Sequence, residues 1–164
     1  MSQKTPERKR KSSDVLSLEL STFVHATEDE ERVLQAVSNV LPERMRGSLE
    51  VYLSKNVVLG YHGNAITVMK FFIDEEVEAQ EAFEHIVRRM EESDFNYFLD
   101  SLEDRFEHGR IYLRVDKQEA YLGNIRISEG DDVIRVTALL KPHLRKSEAV
   151  SRYLLSLRSK KTTQ

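Results

Sequence analysis

The sequence predicts an α+β protein in which a mostly antiparallel sheet of about six strands carries helices on one face. Two observations lead to this class. The predicted elements follow the order strand, helix, two strands, two helices, three strands and helix. Strands and helices that occur in separate runs favour the α+β class. The chain has 164 residues, of which 40% are hydrophobic and 32% charged, which is typical of one globular domain. That length buries enough apolar surface to fold without disulfides or metals.

The N-terminal half contains the first predicted strand, a capped helix and two further strands. Alternating leucines over residues 15–25 predict a strand with one apolar face. Thr27 and Glu30 have the spacing of a capping box, and Pro42 marks the exit of the helix that follows. The next strands are predicted at residues 49–54 and 65–73, with the turn GYHGN at 60–64 between them.

Two acidic helices are predicted to follow these strands. Asp74 is the predicted N-cap of the first helix, whose apolar residues recur at helical spacing. Ser93 or Asp94 is the predicted N-cap of the second helix, which ends at Gly109. Segment 74–107 holds 13 acidic and only three basic residues, so we expect these helices to form an acidic surface.

The segment YLRVDKQEAYLGNIRI, residues 112–127, interrupts one strand-like run with a polar insert. Asp116 and Glu119 have the spacing of an aspartate version of the capping box, which predicts a short helical turn at 117–122. The neighbouring elements are predicted strands at 111–115, 125–127 and 133–140, a turn at 129–132 and a terminal helix capped by Ser147.

The two termini are predicted to be basic tails around a single domain. Residues 1–13 and 160–164 lack apolar periodicity and are expected to be disordered, which leaves 14–159 as one α+β domain that includes the C-terminal helix. The net charge is −3, but residues 15–140 hold 13 Lys/Arg against 25 Asp/Glu, while residues 141–164 hold seven against one. This separation of charge affects the choice of partner.

Composition favours a cytosolic protein. The apolar runs are too short to span a bilayer, and the basic N-terminus has no apolar segment behind it that would make it a secretory signal. The chain has no cysteine, which excludes a disulfide framework, a thiolate zinc site and a cysteine nucleophile. We therefore predict a cytoplasmic location and no membrane partner.

No catalytic or metal-binding pattern is recognisable in the sequence. The five histidines are scattered at positions 25, 62, 85, 108 and 143, without the spacing of a metal site. There is no Gly-x-Ser-x-Gly turn, phosphate-binding loop or dinucleotide fingerprint. We therefore expect a noncatalytic protein that needs no metal or other cofactor.

Three successive strands are predicted to share one polar face. If Ile111, Leu113 and Val115 point into the core, the residues between them point outward, and the same holds for the next two strands. The outward residues are Arg110, Tyr112, Arg114, Asn124, Arg126, Ser128, Val133, Arg135 and Thr137. Arginine offers a planar fork to phosphate, and both arginine and tyrosine stack on bases, so this face predicts a site for single-stranded or irregular RNA. The alternative is an ordinary strand surface whose charges pair across strands.

Two loops add polar side chains to this prediction. The Asp-Lys-Gln turn is expected to aim a cation, an amide and an aromatic ring at a partner: Lys117, Gln118 and Tyr121. The GYHGN loop places side chains that can stack on or hydrogen-bond a base between two glycines: Tyr61, His62 and Asn64. A tight hairpin that needs positive φ explains both glycines equally well.

Three segments, FVHATEDEERVLQAV, GYHGNAITVM and YLRVDKQEAYLG, together resemble the archaeal RNA-binding domain proteins described as predicted exosome subunits. That family typically has a strand followed by His-Ala-Thr-Glu-Asp and a helix, a Gly-x-x-Gly-Asn-Pro-type hairpin, and an Arg-x-Asp-Lys-Gln-x-Ala-Tyr-x-Gly segment. The resemblance runs from about Leu18 to Leu139. The chain departs from the family at Ala65, where proline is common.

The resemblance implies RNA binding and a fold similar to the large-subunit ribosomal protein that binds 5S ribosomal RNA. By motif it nominates His25, Thr27, Arg114, Lys117, Gln118 and Tyr121. Thr27 is left out of the predicted site because its expected role as a helix cap is sufficient to explain it, and His25 could equally brace the turn into the helix.

We therefore predict a noncatalytic RNA-binding protein, an accessory factor in exosome-linked RNA processing or in ribosome maturation. The alternative is a protein–protein adaptor that uses the acidic helical surface 74–107. RNA and protein components of an RNA-processing complex are the expected partners, and the oligomeric state stays open, with a dimer among the options. The predicted RNA contacts are Arg110, Tyr112, Arg114, Lys117, Gln118, Tyr121, Arg126 and Arg135, with His25 and a second patch of Tyr61, His62 and Asn64.

Overall fold

The computed structural model describes residues 13–159. The predicted tails therefore lie outside the described residues, apart from Ser13. The elements in chain order are β1 (Val15–Val24), α1 (Glu30–Val40), a 3₁₀ helix (Glu43–Ser48), α2 (Leu49–Tyr52), β2 (Leu53–Leu59), β3 (Ala65–Ile73), α3 (Glu76–Arg89), α4 (Glu92–Asp100), α5 (Leu102–Arg105), β4 (Phe106–Glu107), β5 (Arg110–Asp116), α6 (Lys117–Tyr121), β6 (Val133–Leu140), a second 3₁₀ helix (Pro142–Leu144) and α7 (Ser147–Ser159).

The strands form one six-stranded sheet in the order β2-β3-β1-β6-β5-β4, and every neighbouring pair is antiparallel. The inward side chains of the strands, among them Leu20, Phe71 and Leu113, form a single core with the buried residues of α1, α3 and α7. Because successive side chains of a strand point to opposite faces, the other face of the sheet stays open to solvent. The predicted α+β class is confirmed.

Helix starts differ from the predicted caps. The N-cap of α1 is Asp29, whose carboxylate accepts a 2.9 Å hydrogen bond from the Glu31 N–H, so Thr27 does not cap this helix. For α3 the cap is Glu75 instead of Asp74. For α4 it is Glu91, and neither Ser93 nor Asp94. Each helix start offers several neighbouring polar residues that could act as the N-cap. The N-cap is the one whose backbone is extended directly before the first helical residue.

The predicted strand at 49–54 is wrong over its first four residues. Residues 49–52 form α2, a single helical turn after the first 3₁₀ helix, and β2 begins only at Leu53. In this turn the Tyr52 hydroxyl donates to Glu78, while Val51 is 81% exposed. The apparent alternation of apolar and polar residues therefore came from a helical turn that buries only part of its side chains.

The structure also corrects the segments around β5. Residues 125–127 form a loop beside β5 with a single bridge from Val115 to Ile127, and they are not a strand. The second acidic helix does not extend to Gly109, because Phe106–Glu107 turns back as β4 through Gly109 at φ 78°. Val133, predicted to point outward, is 4% exposed because α6 packs against the start of β6.

Within residues 13–159, no helix is both long enough and apolar enough to cross a membrane.

His85 on α3 is expected to make stability depend on pH. Burial lowers the pKa of His85 from 6.5 to about 4, helped by the charges of Arg89 and Arg46. Between these values the unfolded chain binds a proton that the folded chain does not, so this contribution to stability is present above pH 6.5 and is lost as the pH falls towards 4.

Urea unfolding across this range should show the wild type losing stability more steeply with falling pH than His85→Gln, by clearly less than the limit of about 1.4 kcal/mol per pH unit because the ring is only partly buried and is screened by solvent. Parallel pH profiles for the two proteins would contradict the assignment.

Candidate nucleic-acid interface

The strand register aligns three cationic side chains across the open face of the sheet. Arg114 pairs with Arg135, Arg135 with Ser21 and Ser21 with Lys70, so the three cations lie in one cross-strand row. We call Arg114, Arg135 and Lys70 the cationic row. Strands lie about 4.8 Å apart, so the row spans roughly 14 Å. It is long enough to follow several nucleotides of an extended RNA strand.

The charges of this row are poorly neutralised within the protein. Arg114 approaches only Asp131, at 3.6 Å, and its Nε atom is buried without a hydrogen bond among the described residues. Arg135 lies over the Phe23 ring, with 5.8 Å from its guanidinium carbon to the ring centroid. In the part of the chain that the structure describes, neither Arg135 nor Lys70 has a carboxylate within 4.0 Å. The row is therefore available to an external anion.

Exposed aromatic rings flank the cationic row. Tyr112 and Phe72, 43% and 49% exposed, lie in the next cross-strand row, separated by Thr137 and Glu19. Phe23 lies on the other side of the cationic row. A groove of about 570 Å³ runs along this part of the sheet. Aromatic rings beside arginines form the kind of surface on which unpaired bases stack.

The structure brings together four of the predicted contacts. Arg110, Tyr112, Arg114 and Arg135 all lie on the open face, and Arg110 is opposite Leu139 at its margin.

Arg126 is not on the sheet face, which corrects the prediction. It lies in the loop beside β5, and its guanidinium binds Asp94 at 2.9 Å and Glu91 at 3.1 Å. The hydrogen bond and charge of Asp94, followed by the charge of Glu91, raise the pKa of Arg126. Its charge is neutralised within the protein, and the two carboxylates hold the loop against α4.

Lys117 is also misplaced by the sequence prediction. Its side chain is 4% exposed, and its ammonium donates to the Phe23 carbonyl at 2.8 Å and to Glu28 at 3.1 Å, while Asp132 lies 2.9 Å away. The predicted helical turn is confirmed, with the Asp116 carboxylate accepting from the Glu119 N–H at 2.8 Å. The turn thus points its cation inward and joins three distant segments.

The side chains around Lys117 are more accessible. Gln118 donates to Asp132 at 2.9 Å. Partial burial would raise the pKa of Asp132, but hydrogen bonds from Gln118 and Lys117 outweigh it and lower that pKa. Tyr121 is 39% exposed. The His25 side chain is about half exposed, and its ring nitrogen lies 3.9 Å from Glu28. His25 and Gln118 lie beyond the end of β1, next to the open face, whereas Tyr121 lies against α1.

The GYHGN loop forms a tight hairpin between β2 and β3. The Gly60 N–H donates to the Asn64 carbonyl at 2.7 Å, and Gly63 has φ 78°, which explains the second glycine. Tyr61 is 99% exposed, and its ring meets the His62 ring edge-on at 5.1 Å. The loop lies six residues or more along the chain from Lys70, about 20 Å at the rise of a strand, so it is a separate patch.

The sequence prediction missed Lys70, Phe72 and Phe23. A signal for two of them was present: Met69, Phe71 and Ile73 alternate as inward residues, so the residues between them face outward.

An antiparallel sheet with one helix-covered face and one open face that carries unneutralised arginines beside aromatic rings defines a candidate RNA-binding protein. A family model described as RNA binding matches residues 17–140, from β1 to the end of β6. The chain therefore belongs to this RNA-binding family.

Relatives and solved structures agree with this membership. The chain is 36% identical to "RNA-binding protein PAB1135" of Pyrococcus abyssi over 82% of its length and 87% of that protein. It is 38% identical to the uncharacterized protein MJ0213 of Methanocaldococcus jannaschii over 73% of its length and 80% of that protein. Its fold matches the crystal structure of protein AF2318 from Archaeoglobus fulgidus with a TM-score of 0.70 and 26% identity, covering 87% of this chain and 99% of the other.

Proposed function

We propose that this protein is a noncatalytic, cytoplasmic accessory factor that holds single-stranded or irregular RNA on the open face of its sheet. The observation that carries the proposal is the cationic row, whose charges find few partners inside the protein. Membership of the RNA-binding family supports RNA as the ligand. The resemblance to predicted exosome subunits supports a role in exosome-linked RNA processing, with ribosome maturation as the other setting.

In this proposal the phosphates of the RNA follow the cationic row. Arg114 and Arg135 lie directly opposite each other on neighbouring strands, which concentrates two guanidinium groups at one point of the groove. Two like charges placed opposite each other repel, and an anion between them relieves the repulsion. The flanking Tyr112 and Phe72 then offer their faces to the bases.

This geometry favours RNA with unpaired bases over a regular duplex. In an A-form helix the bases are stacked inside, and the major groove is too narrow and deep for side chains to read. The aromatic rings of the open face can stack only on bases that have left a helix. Residues 15–140 carry an excess of 12 acidic groups, which repel RNA elsewhere on the domain and help to confine it to this face.

The adaptor alternative is supported by the unpaired acids of α4 and α5. Glu92, Asp100 and Glu103 are exposed and have no ion-pair partner among residues 13–159. On α3, by contrast, Glu76 pairs with Lys141 and Glu81 with Arg44, so part of the predicted acidic surface 74–107 is already neutralised. A basic protein partner would bind these unpaired acids of α4 and α5.

The test is a fluorescence-anisotropy titration of the wild type with one RNA sequence as single strand, hairpin and duplex. We expect tighter binding of the single strand and the hairpin loop than of the duplex. If the cationic row neutralises three phosphates, the logarithm of the affinity should fall with the logarithm of salt with a slope of about −2.

Three results would contradict the proposal. Absence of saturable binding at low salt would favour the adaptor. Equal affinity for the duplex would remove the role of base stacking. Shortening of the RNA during incubation with added Mg²⁺ would show turnover and contradict the noncatalytic assignment.

A further inference from the structure

A second concave site lies where two of the sequence motifs meet. The segment after β1, containing Thr27 and Glu28, and the segment of α6, containing Gln118 and Tyr121, line one pocket of about 320 Å³ together with Arg32 of α1. Its volume is at the lower end of the range for ligand pockets. The two segments lie about 90 residues apart in the chain. The buried Lys117 ammonium joins them by binding the Glu28 carboxylate at 3.1 Å.

The geometry of Arg32 and Tyr121 suits a planar guest. The guanidinium carbon of Arg32 lies 6.0 Å from the centroid of the Tyr121 ring. Direct stacking brings flat groups to about 3.5 Å, so a flat ring held between two such groups needs roughly 7 Å. The observed gap is too wide for direct stacking and about 1 Å too narrow for the guest. Arg32 can open it, because its side chain is 72% exposed and its contacts among the described residues are a 3.9 Å ion pair with Asp29 and the long cation–π contact with Tyr121.

The polar lining suits an uncharged guest better than a phosphate. The charges of Glu28 and Asp29 formally cancel those of Lys117 and Arg32. Gln118 donates one of its two amide N–H groups to Asp132, which leaves its carbonyl oxygen as an acceptor and the other N–H as a donor. Carboxylate and carbonyl oxygens accept hydrogen bonds, so the lining favours a base that carries an exocyclic amino group, as adenine, cytosine and guanine do.

This pocket is continuous with the open face of the sheet. An intervening cavity of about 720 Å³ shares Thr27 and Gln118 with the pocket and shares Phe23 and Arg135 with the sheet groove. A single strand with its phosphates on the cationic row can therefore continue past His25 and reach the pocket.

We propose that the pocket between Arg32 and Tyr121 holds one unpaired, amino-bearing nucleobase of the bound RNA. This inference rests on the proposed function, and it names a specific base site beyond the sheet face. The base stacks between the guanidinium and the phenol ring, and the acceptors of the lining select it over uracil.

The test uses single-stranded RNAs that carry one 2-aminopurine, moved along the sequence from one oligonucleotide to the next. Stacking quenches the emission of this base. We expect a position whose emission falls on binding to the wild type and to Tyr121→Phe, which keeps the ring, and does not fall with Tyr121→Ala. Arg32→Ala should reduce the quench. Loss of one stacked base should lower affinity about 10-fold in Tyr121→Ala.

Matched controls are an exposed tyrosine and an exposed arginine elsewhere, Tyr97→Ala and Arg152→Ala, which should keep the quench. In addition, wild type should bind oligoadenylate and oligocytidylate more tightly than oligouridylate of the same length, and Gln118→Leu should reduce that difference.

Two outcomes overturn the inference while leaving RNA binding intact. One is a quench that survives Tyr121→Ala at every position, which would place all stacked bases on the sheet face. The other is an equal loss for Tyr121→Phe and Tyr121→Ala, which would assign the effect to the hydroxyl group. If wild type binds none of these RNAs, the proposed function itself fails, and the base site with it.

Discussion

Reversing both arginines of the cationic row, in Arg114→Glu/Arg135→Glu, is expected to weaken RNA binding about 100-fold or more at physiological salt. Each arginine supplies a charge-assisted contact to phosphate, and such contacts are worth about 1.5–3 kcal/mol each. Each glutamate also repels the phosphate group that the arginine attracted. The effect should be measured by fluorescence anisotropy with the single-stranded RNA that the wild type binds.

The fold should tolerate this change. Both side chains point to the open face, and the core lies behind the sheet. The replacement of Arg114 also removes a buried Nε that has no hydrogen bond among the described residues. A circular dichroism spectrum and a melting temperature close to those of the wild type should confirm a folded variant.

The matched control is Arg145→Glu/Arg152→Glu. Both residues are exposed, lie near or in α7, and change the net charge by the same amount. This control should keep most of the affinity. An equal loss in both double variants would show that only the total charge matters, and a loss confined to the control would move the RNA to the C-terminal helix.

Replacing Lys117 is expected to have the largest effect on stability. Lys117→Met keeps most of the volume but leaves Glu28, Asp132 and the Phe23 carbonyl without their shared donor. Removing one partner of a buried ion pair costs about 3–5 kcal/mol, and partial exposure of the two carboxylates reduces this to about 2–4 kcal/mol. For a domain of this size, that lowers the melting temperature by roughly 4–16 °C.

The control for this variant is Lys55→Met, which removes an exposed ion pair with Glu30 and should cost less than about 1 kcal/mol. Urea unfolding of the three proteins gives the comparison. The folded fraction of Lys117→Met should still bind RNA through the cationic row. A large loss of affinity without loss of stability would instead make Lys117 an RNA contact, as the sequence had suggested.

Part of the candidate site was predictable from alternation alone. Arg110, Tyr112 and Arg114 were expected to face away from the core because Ile111, Leu113 and Val115 are apolar, and the structure has them so. The same local rule failed for residues 125–127. Ile125 and Ile127 have the alternate spacing of a strand, but the backbone makes only one bridge to β5. Alternation over three residues is too short to distinguish a strand from a loop that lies beside one.

The misassigned segment 49–54 shows a related limit. Leu49, Val51 and Leu53 fit a strand of period two, but Leu49 and Tyr52 also fit a helical turn, and packing under α3 selects the turn. Local sequence offered both periods, and a contact from a helix more than 20 residues away decided between them.

By itself the sequence determined the α+β class, the antiparallel sheet backed by helices, and the outward direction of the arginines on β5 and β6. These properties follow from side-chain periodicity, which acts over a few residues. Only the tertiary structure decided that Arg114, Arg135 and Lys70 form one row and that Lys117 is buried. Both depend on partners far apart in the chain, because strand register aligns residues across the sheet and the Lys117 ammonium binds a carbonyl 94 residues away.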